Sequence, residues 1–246
     1  MIIAYGKSDI GKAREMNQDA YYISDSSSEV QLYIVADGMG GYKGGEIASS
    51  LAVESVKNYI CVNFSKIENK EKDVILNLIE GAIEYANNVV YEKSRENPDL
   101  NEMGTTLEVC LIYGNKVFIG HVGDSRVYRI RKNIIRKLTT DHSYVEKLVR
   151  EGSITREESY NHPKKNMLLK ALGCDSLVKP DVFYKAFLKD DILLICSDGL
   201  TNMLRDNEIY DVLLKNPDKP ENALINRANI VGGYDNITAI IVDNCG

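Results

Sequence analysis

Long apolar runs are missing from this 246-residue chain. None approaches the roughly eighteen residues a membrane span needs, so no membrane insertion is expected. The first residues, Met1 to Ser8, carry no charged segment followed by an apolar core and a small-residue cleavage site. No signal peptide is expected, and the location read from this is cytoplasmic. A basic excess is missing too. With 30 Lys and Arg against 36 Asp and Glu, the formal charge of −6 leaves no electrostatic footprint for nucleic acid or an anionic lipid surface. The three histidines, His121, His142 and His162, are not paired at metal-ligand spacing and read as structural or solvated, His142 being the one worth a mutation. The five cysteines are odd in number and scattered, and read as reduced, buried packing residues, not as a disulfide frame or zinc site. Catalytic signatures of several classes are absent as well. There is no Gly-x-Ser-x-Gly elbow and no cysteine-hydrolase signature, so a nucleophilic side chain has no candidate. Gly6-Lys7-Ser8 has Met1 where a Walker A loop needs glycine, and Lys43 stands where a Rossmann fingerprint needs one. An acidic ladder of EF-hand type is missing.

What is present is an ordinary globular composition, 44% hydrophobic and 27% charged, enough to bury a sizeable core. No Pro, Gly or Ser run divides the chain, so residues 1–246 are expected to form a single domain. Four aspartates stand out by position. Asp37, Asp124 and Asp198 each follow an apolar run (Leu32 to Ala36, Val117 to Val122, Ile192 to Cys196), and Asp235 precedes one, Ile237 to Val242. In an antiparallel sheet the end of one strand lies beside the start of its neighbour, which brings all four to one edge. So many carboxylates together repel unless cations intervene. An oxygen-only ligand set suits Mg²⁺ or Mn²⁺ and argues against zinc or copper. A single Asp-Gly is also an ordinary turn. Arg14, near Asp19, taken alone is a surface charge; beside a metal site it becomes a planar fork for phosphate oxygens. The glycine-dense stretch from Gly38 to Gly45 lets the backbone approach an ion, with the Gly38 carbonyl as a possible ligand.

The hydrophobic spacing predicts a hairpin of Tyr21 to Ile23 with Leu32 to Ala36, then amphipathic helices from Gly45 to about Asn63 and from Asp73 to about Arg95, covering one sheet. Leu107 to Tyr113 and Lys116 to Val122 read as strands joined by a Gly114-Asn115 turn. Ser125 to Ile130 and Ile134 to Leu138 are expected to extend that meander. Asp141 to about Lys165 is polar, with a short helical face at Val145, Leu148 and Val149 and a capping-box pattern from Thr155 to Glu158, and reads as a surface excursion. Strands resume at Phe183 to Leu188 and Ile192 to Cys196. Helices are expected near Asn207 to Leu214 and Glu221 to Asn229. The fold class is α+β, a sandwich of mostly antiparallel sheets.

Several segments together resemble the metal-dependent Ser/Thr protein phosphatases of type 2C, in particular their compact bacterial members. They are Arg14 with Asn17-Gln18-Asp19, Asp37-Gly38-Met39-Gly40-Gly41, Gly104-Thr105-Thr106, Val122 to Arg126, Leu138 to Ser143, Ala171-Leu172-Gly173, Leu193 to Leu200, and Gly233 to Thr238. The resemblance implies a four-layer α-β-β-α sandwich with a binuclear metal site at one end. Asp37 would bridge two metals, the Gly38 carbonyl would join the second, and Asp198 and Asp235 would complete the first; Asp37, Asp198 and Asp235 would thus be the catalytic set. Asp19 would hold a metal-bound water from behind, and Asp124, with Asp198, a third metal. Arg14 would grip the substrate phosphate, and residues 141–165 would be the flap beside the substrate groove. The implied cofactors are Mn²⁺ or Mg²⁺, two or three per chain. The implied activity is hydrolysis of phosphoserine and phosphothreonine in proteins by direct attack of a metal-bridging hydroxide. The implied partners are phosphorylated proteins and a cognate Ser/Thr kinase, with the enzyme itself a monomer.

Two positions depart from the family pattern. Met39 replaces a histidine that many eukaryotic relatives use to protonate the leaving alkoxide, which leaves the general acid to a metal-bound water. Gln18 stands where relatives often carry glutamate. A phosphopeptide-binding adaptor without turnover is the competing reading, but retention of Asp37, Asp198, Asp235 and Arg14 weighs against it. A two-metal nuclease conflicts with the acidic balance.

Overall fold

Strands whose two faces are both buried set the architecture. In β3 (Gln31–Met39), Leu32, Ile34 and Ala36 join one apolar cluster while Tyr33 and Val35 join another. The same period of two runs through β10 (Ile192–Cys196) and β11 (Ile237–Asn244), where Leu193, Ile195, Ile240 and Val242 face inward between the sheets. Leu194, Cys196, Ile237, Ala239 and Ile241 face out under helices. Burial on both sides is why these strands are near-continuous apolar runs in the sequence. The computed structural model describes residues 1–96, 98–100 and 102–245, with the side chains of 41–43 left aside.

Two antiparallel sheets stack. One has the order β1-β11-β10-β7-β8, adding β1 (Ile2–Asp9), β7 (Arg126–Arg131) and β8 (Ile134–Lys137). The other has the order β2-β3-β5-β6-β9, with β2 (Asp19–Ile23), β5 (Leu107–Tyr113), β6 (Lys116–Val122) and β9 (Asp181–Ala186), and a short β4 (Gly104–Thr105) on β3. Helices α1 (Gly41–Phe64) and α2 (Lys72–Glu96) bury Val56, Ile60, Ile79 and Ile83 against the second sheet. Beyond α3 (Tyr144–Arg150), α4 (Arg156–Tyr160) and α5 (Asp198–Thr201), helices α6 (Asp206–Lys215) and α7 (Pro220–Val231) cover the first sheet through Ile209, Leu213, Leu224 and Ala228. The result is the expected four-layer α-β-β-α sandwich. Among the described residues, no helix is long and apolar enough to cross a membrane.

The polar segment after Asp141 folds as its sequence suggests. Ser143 caps α3, accepting from the Glu146 amide, and Thr155 and Glu158 complete the reciprocal box at α4. Three expectations need correction. Ser125 to Ile130 does not extend the meander, because the chain turns at Gly123, at φ +112°, and β7 crosses to pair with β10 in the other sheet. The first long helix starts at Gly41, four residues early, since Gly45 is held in the helix by packing on Gly38: a Cβ at Gly38 would lie 2.0 Å from the Gly45 carbonyl oxygen. Only Cys110 and Cys196 are buried. Cys61, Cys174 and Cys245 are exposed, and all five are free thiols. Cys61 sits among apolar neighbours in sequence but on the outward side of α1, where Val62 is also exposed.

Candidate active site

The carboxylates reach the site because strand ends from both sheets meet there. Pairing of β2 with β3 sets Asp19 opposite Asp37. The Asp37 backbone is held on both sides. Its amide donates to Thr106 Oγ1 (3.0 Å), while its carbonyl accepts from Thr105 Oγ1 and the Thr106 amide (2.9 Å each). Asp124 follows the Gly123 turn at the end of β6, and Asp198 opens α5 directly after β10. Asn202, one turn on, donates to Asp198 Oδ2 (3.0 Å). Asp235 precedes β11, with Oδ1 accepting from the Asn236 amide (2.9 Å) and Oδ2 from Arg14 Nη2 (2.8 Å).

Arg14, Asp37, Gly38, Asp124, Asp198 and Asp235 all line one cavity of about 280 Å³ at this end of the sandwich, together with Gln18, Met39, Thr106, Asn166 and Asn236. Asp19 lies behind the lining. Its Oδ2 accepts from Ser197 Oγ (2.8 Å) and Thr238 Oγ1 (2.6 Å), while its Oδ1 is buried with no protein partner. A larger cavity, about 520 Å³, lies beside α3 among Thr140, His142, Lys170 and Asp181 and contains none of the four aspartates. His121 is fully buried on Glu108 and the Thr140 carbonyl, and His142 contacts Asp181, so neither reaches the acid site.

The electrostatics are those of crowded anions. Solvent reaches these carboxylates from the cavity, yet protein encloses them on the other sides. Burial first, and then Asp19, Asp198, Asp124 and Asp235, hold the Asp37 carboxyl well above the usual range. Burial and Asp198 do the same to Asp124, against the pull of Arg126. Asp198 is raised by burial and Asp235, while Asp37, Arg126 and the Asn202 amide pull the other way. Burial lifts Asp19 to about 7 despite its two hydroxyl donors. Arg14, its pKa raised by its bond to Asp235, is the cationic side chain in the described lining.

Oxygen donors alone, crowded anions and the orphaned Asp19 Oδ1 fit a hard divalent cation. The backbone of Gly38 lines the same cavity beside them. Among the described residues, no three Asp, Glu, His or Cys side chains form a ready-made metal cage, so the fit rests on donor chemistry and charge. Sequence reasoning did not single out Thr106, Asn202, Asn236, Ser197 or Thr238. Asn236 and Thr238 stand inside the same quoted motif as Asp235, and that adjacency was the available signal.

Residues 6–217 match the family model described as protein phosphatase 2C. The chain is 38% identical over 239 residues to the serine/threonine phosphatase stp of Listeria monocytogenes serotype 4b, covering 96% of this chain and 94% of that protein. In structure it resembles the S. agalactiae serine/threonine phosphatase at 36% identity, with a TM-score of 0.90 and 99% of each chain covered. It also resembles the catalytic domain of the serine/threonine protein phosphatase PstP in complex with two manganese ions (30% identity, TM-score 0.85, 98% and 97% covered).

Proposed function

The chain belongs to the protein phosphatase 2C family and is a protein serine/threonine phosphatase, and from that premise we propose how its cavity performs the hydrolysis. The single observation that carries the reading is the meeting of Arg14 with Asp37, Asp124, Asp198 and Asp235 in one cavity. Activity depends on divalent metal in this family. In the proposal, Asp37, the Gly38 carbonyl, Asp198 and Asp235 hold two cations, Mn²⁺ or Mg²⁺. Asp124 with Asp198 supports a third, and Asp19 acts from behind. Bound there, the cations supply Lewis acidity, which lowers the pKa of water and neutralises phosphate charge.

The chain's own residues do the rest. Arg14 forms charge-assisted hydrogen bonds to the phosphate oxygens, which fixes the ester over the acid cluster. Water is the nucleophile. Thr106 is the one hydroxyl side chain in the described lining, and it is engaged: Oγ1 accepts from the Asp37 amide and bonds Ser125 Oγ at 2.8 Å. A new P–O bond to water forms as the bond to the serine or threonine oxygen breaks, so no phosphoenzyme intervenes. The leaving oxygen takes its proton from water, since the Met39 thioether at the cavity edge has none to give. Residues 1–246 act as one catalytic unit, with 141–165 as the flap beside the groove. The substrates are phosphoproteins made by a Ser/Thr kinase.

Incubation with a phosphothreonine peptide should release phosphate when Mn²⁺ is present and not after chelation. Asp198→Asn should lower that release by roughly a hundredfold or more with an unchanged far-UV spectrum. Near-normal turnover by this variant would sink the metal assignment.

A further inference from the structure

Asn236 forms part of the cavity wall, is only 5% exposed, and has its carboxamide taken up by backbone. Oδ1 accepts from the Gln18 amide at 2.8 Å, and Nδ2 donates to the carbonyls of Ile10 (3.0 Å) and Met16 (2.9 Å). Those partners settle the orientation of the amide, because one is only a donor and two are only acceptors. All three belong to residues 10–18, the segment that carries Arg14, more than two hundred positions away in sequence.

That segment has no helix or strand of its own between β1 and β2. It is held against residues 233–236 instead. The Gly233 carbonyl accepts from the amides of Lys12 (2.7 Å) and Ala13 (3.3 Å), and Gly11, at φ +78°, passes so close that a Cβ would lie 2.2 Å from the Asp235 carbonyl oxygen. Arg14 itself is half exposed, at 52%, so packing does little to fix its long side chain. Asp235 holds the tip of the guanidinium, and the loop beneath sets where the side chain starts; the Gly233 carbonyl ties that loop at Lys12 and Ala13, and the Asn236 carboxamide ties it at Ile10, Met16 and Gln18.

We propose that Asn236 is a positioning residue for phosphate recognition: its carboxamide clamps residues 10–18 so that Arg14 is aimed over the acid cluster. The proposal rests on the reading of Arg14 as the phosphate ligand. Because the polar atoms of its carboxamide are all engaged by the backbone of residues 10–18, Asn236 acts through Arg14. Its backbone amide, which bonds Asp235 Oδ1, remains when the side chain is changed.

The test is a double-mutant cycle in the full chain with saturating Mn²⁺, using a phosphothreonine peptide and reading KM and kcat separately. Asn236→Ala should raise KM on the order of tenfold, with kcat within about twofold, the pattern of lost ground-state binding. In an Arg14→Ala background the same change should cost less than about twofold, because the residue it serves is gone. Hydrogen exchange should quicken in residues 10–18 and stay unchanged in β10 and β11. Asn236→Ser, which keeps a small polar group, should shift KM the same way, and it decides the matter if the alanine variant does not fold. Full additivity of Asn236 and Arg14, or a fall in kcat at constant KM, would overturn the positioning role alone. A silent Arg14→Ala would overturn the phosphate-binding reading and the positioning role with it.

Discussion

His142 and Gly123 hold each other by two hydrogen bonds, the His142 amide to the Gly123 carbonyl (2.7 Å) and the Gly123 amide to His142 Nδ1 (3.1 Å). A ring nitrogen that accepts carries no proton, so the proton sits on Nε2, facing Asp181 Oδ2 at 3.3 Å. Burial, with His121 and Lys170 nearby, depresses the His142 pKa from 6.5 to about 4, although Asp181 pulls the other way. The neutral ring therefore contributes stability that is present above pH 6.5 and drains away as pH falls toward about 4, because the unfolded chain takes the proton first. The urea midpoint should fall across that window, and His142→Asn, which keeps an acceptor near Nδ1, should flatten the fall. Identical slopes would remove His142 from the account. None of this was legible in the sequence, where His142 is one residue in a polar stretch. The partners of a side chain depend on what the fold brings from elsewhere.

At the scale of elements, the turn at Gly123 does two jobs: it sends the chain from one sheet to the other and places Asp124. A Cβ there would meet the Thr106 side chain at 2.6 Å, at a φ that disfavours any L side chain. Thr106 in turn supports the Asp37 amide. Gly123→Ala should therefore cost about 1–3 kcal/mol and lower turnover as well. Gly114→Ala is the control, at φ +60° with open space around it, where a loss of about 1 kcal/mol and normal activity are expected. Equal effects in both variants would show that Gly123 matters only as a turn. Most strands and helices were readable because burial on both faces, or on one stripe, writes itself into apolar spacing. The crossing at Gly123 was not, since a period of two says which residues are buried and not which sheet buries them. Nor was β1 singled out, because its partner β11 lies at the far end of the chain.

On the scale of the whole molecule, each sheet supplies part of the acid cluster, Asp37 and Asp124 from one and Asp198 and Asp235 from the other. The apolar clusters that hold the sheets and helices together include none of these residues. Chelation should accordingly stop turnover while leaving the far-UV spectrum intact. Mn²⁺ at about a hundred times its Kd should add roughly 2.7 kcal/mol per site, seen as a rise of several degrees in Tm. A Tm indifferent to Mn²⁺ would remove the cluster as a cation site. The aspartates were legible because each sits where an apolar run stops or starts. Thr106, Ser197 and Asn236 were not, because the groups they bond lie far away in sequence.

The place of β11 between β1 and β10 also orders events in time. Among the described residues it is the one strand paired with β1, it lies beside β10, and Asp235 and Asn236 come just before it. During synthesis, β1 waits for β11 while β2 to β10 emerge from the ribosome, and the loop carrying Arg14 lacks Gly233 and Asn236, on which it docks. Assembly of the cavity, and with it removal of phosphate, therefore waits for β11 and the residues just before it.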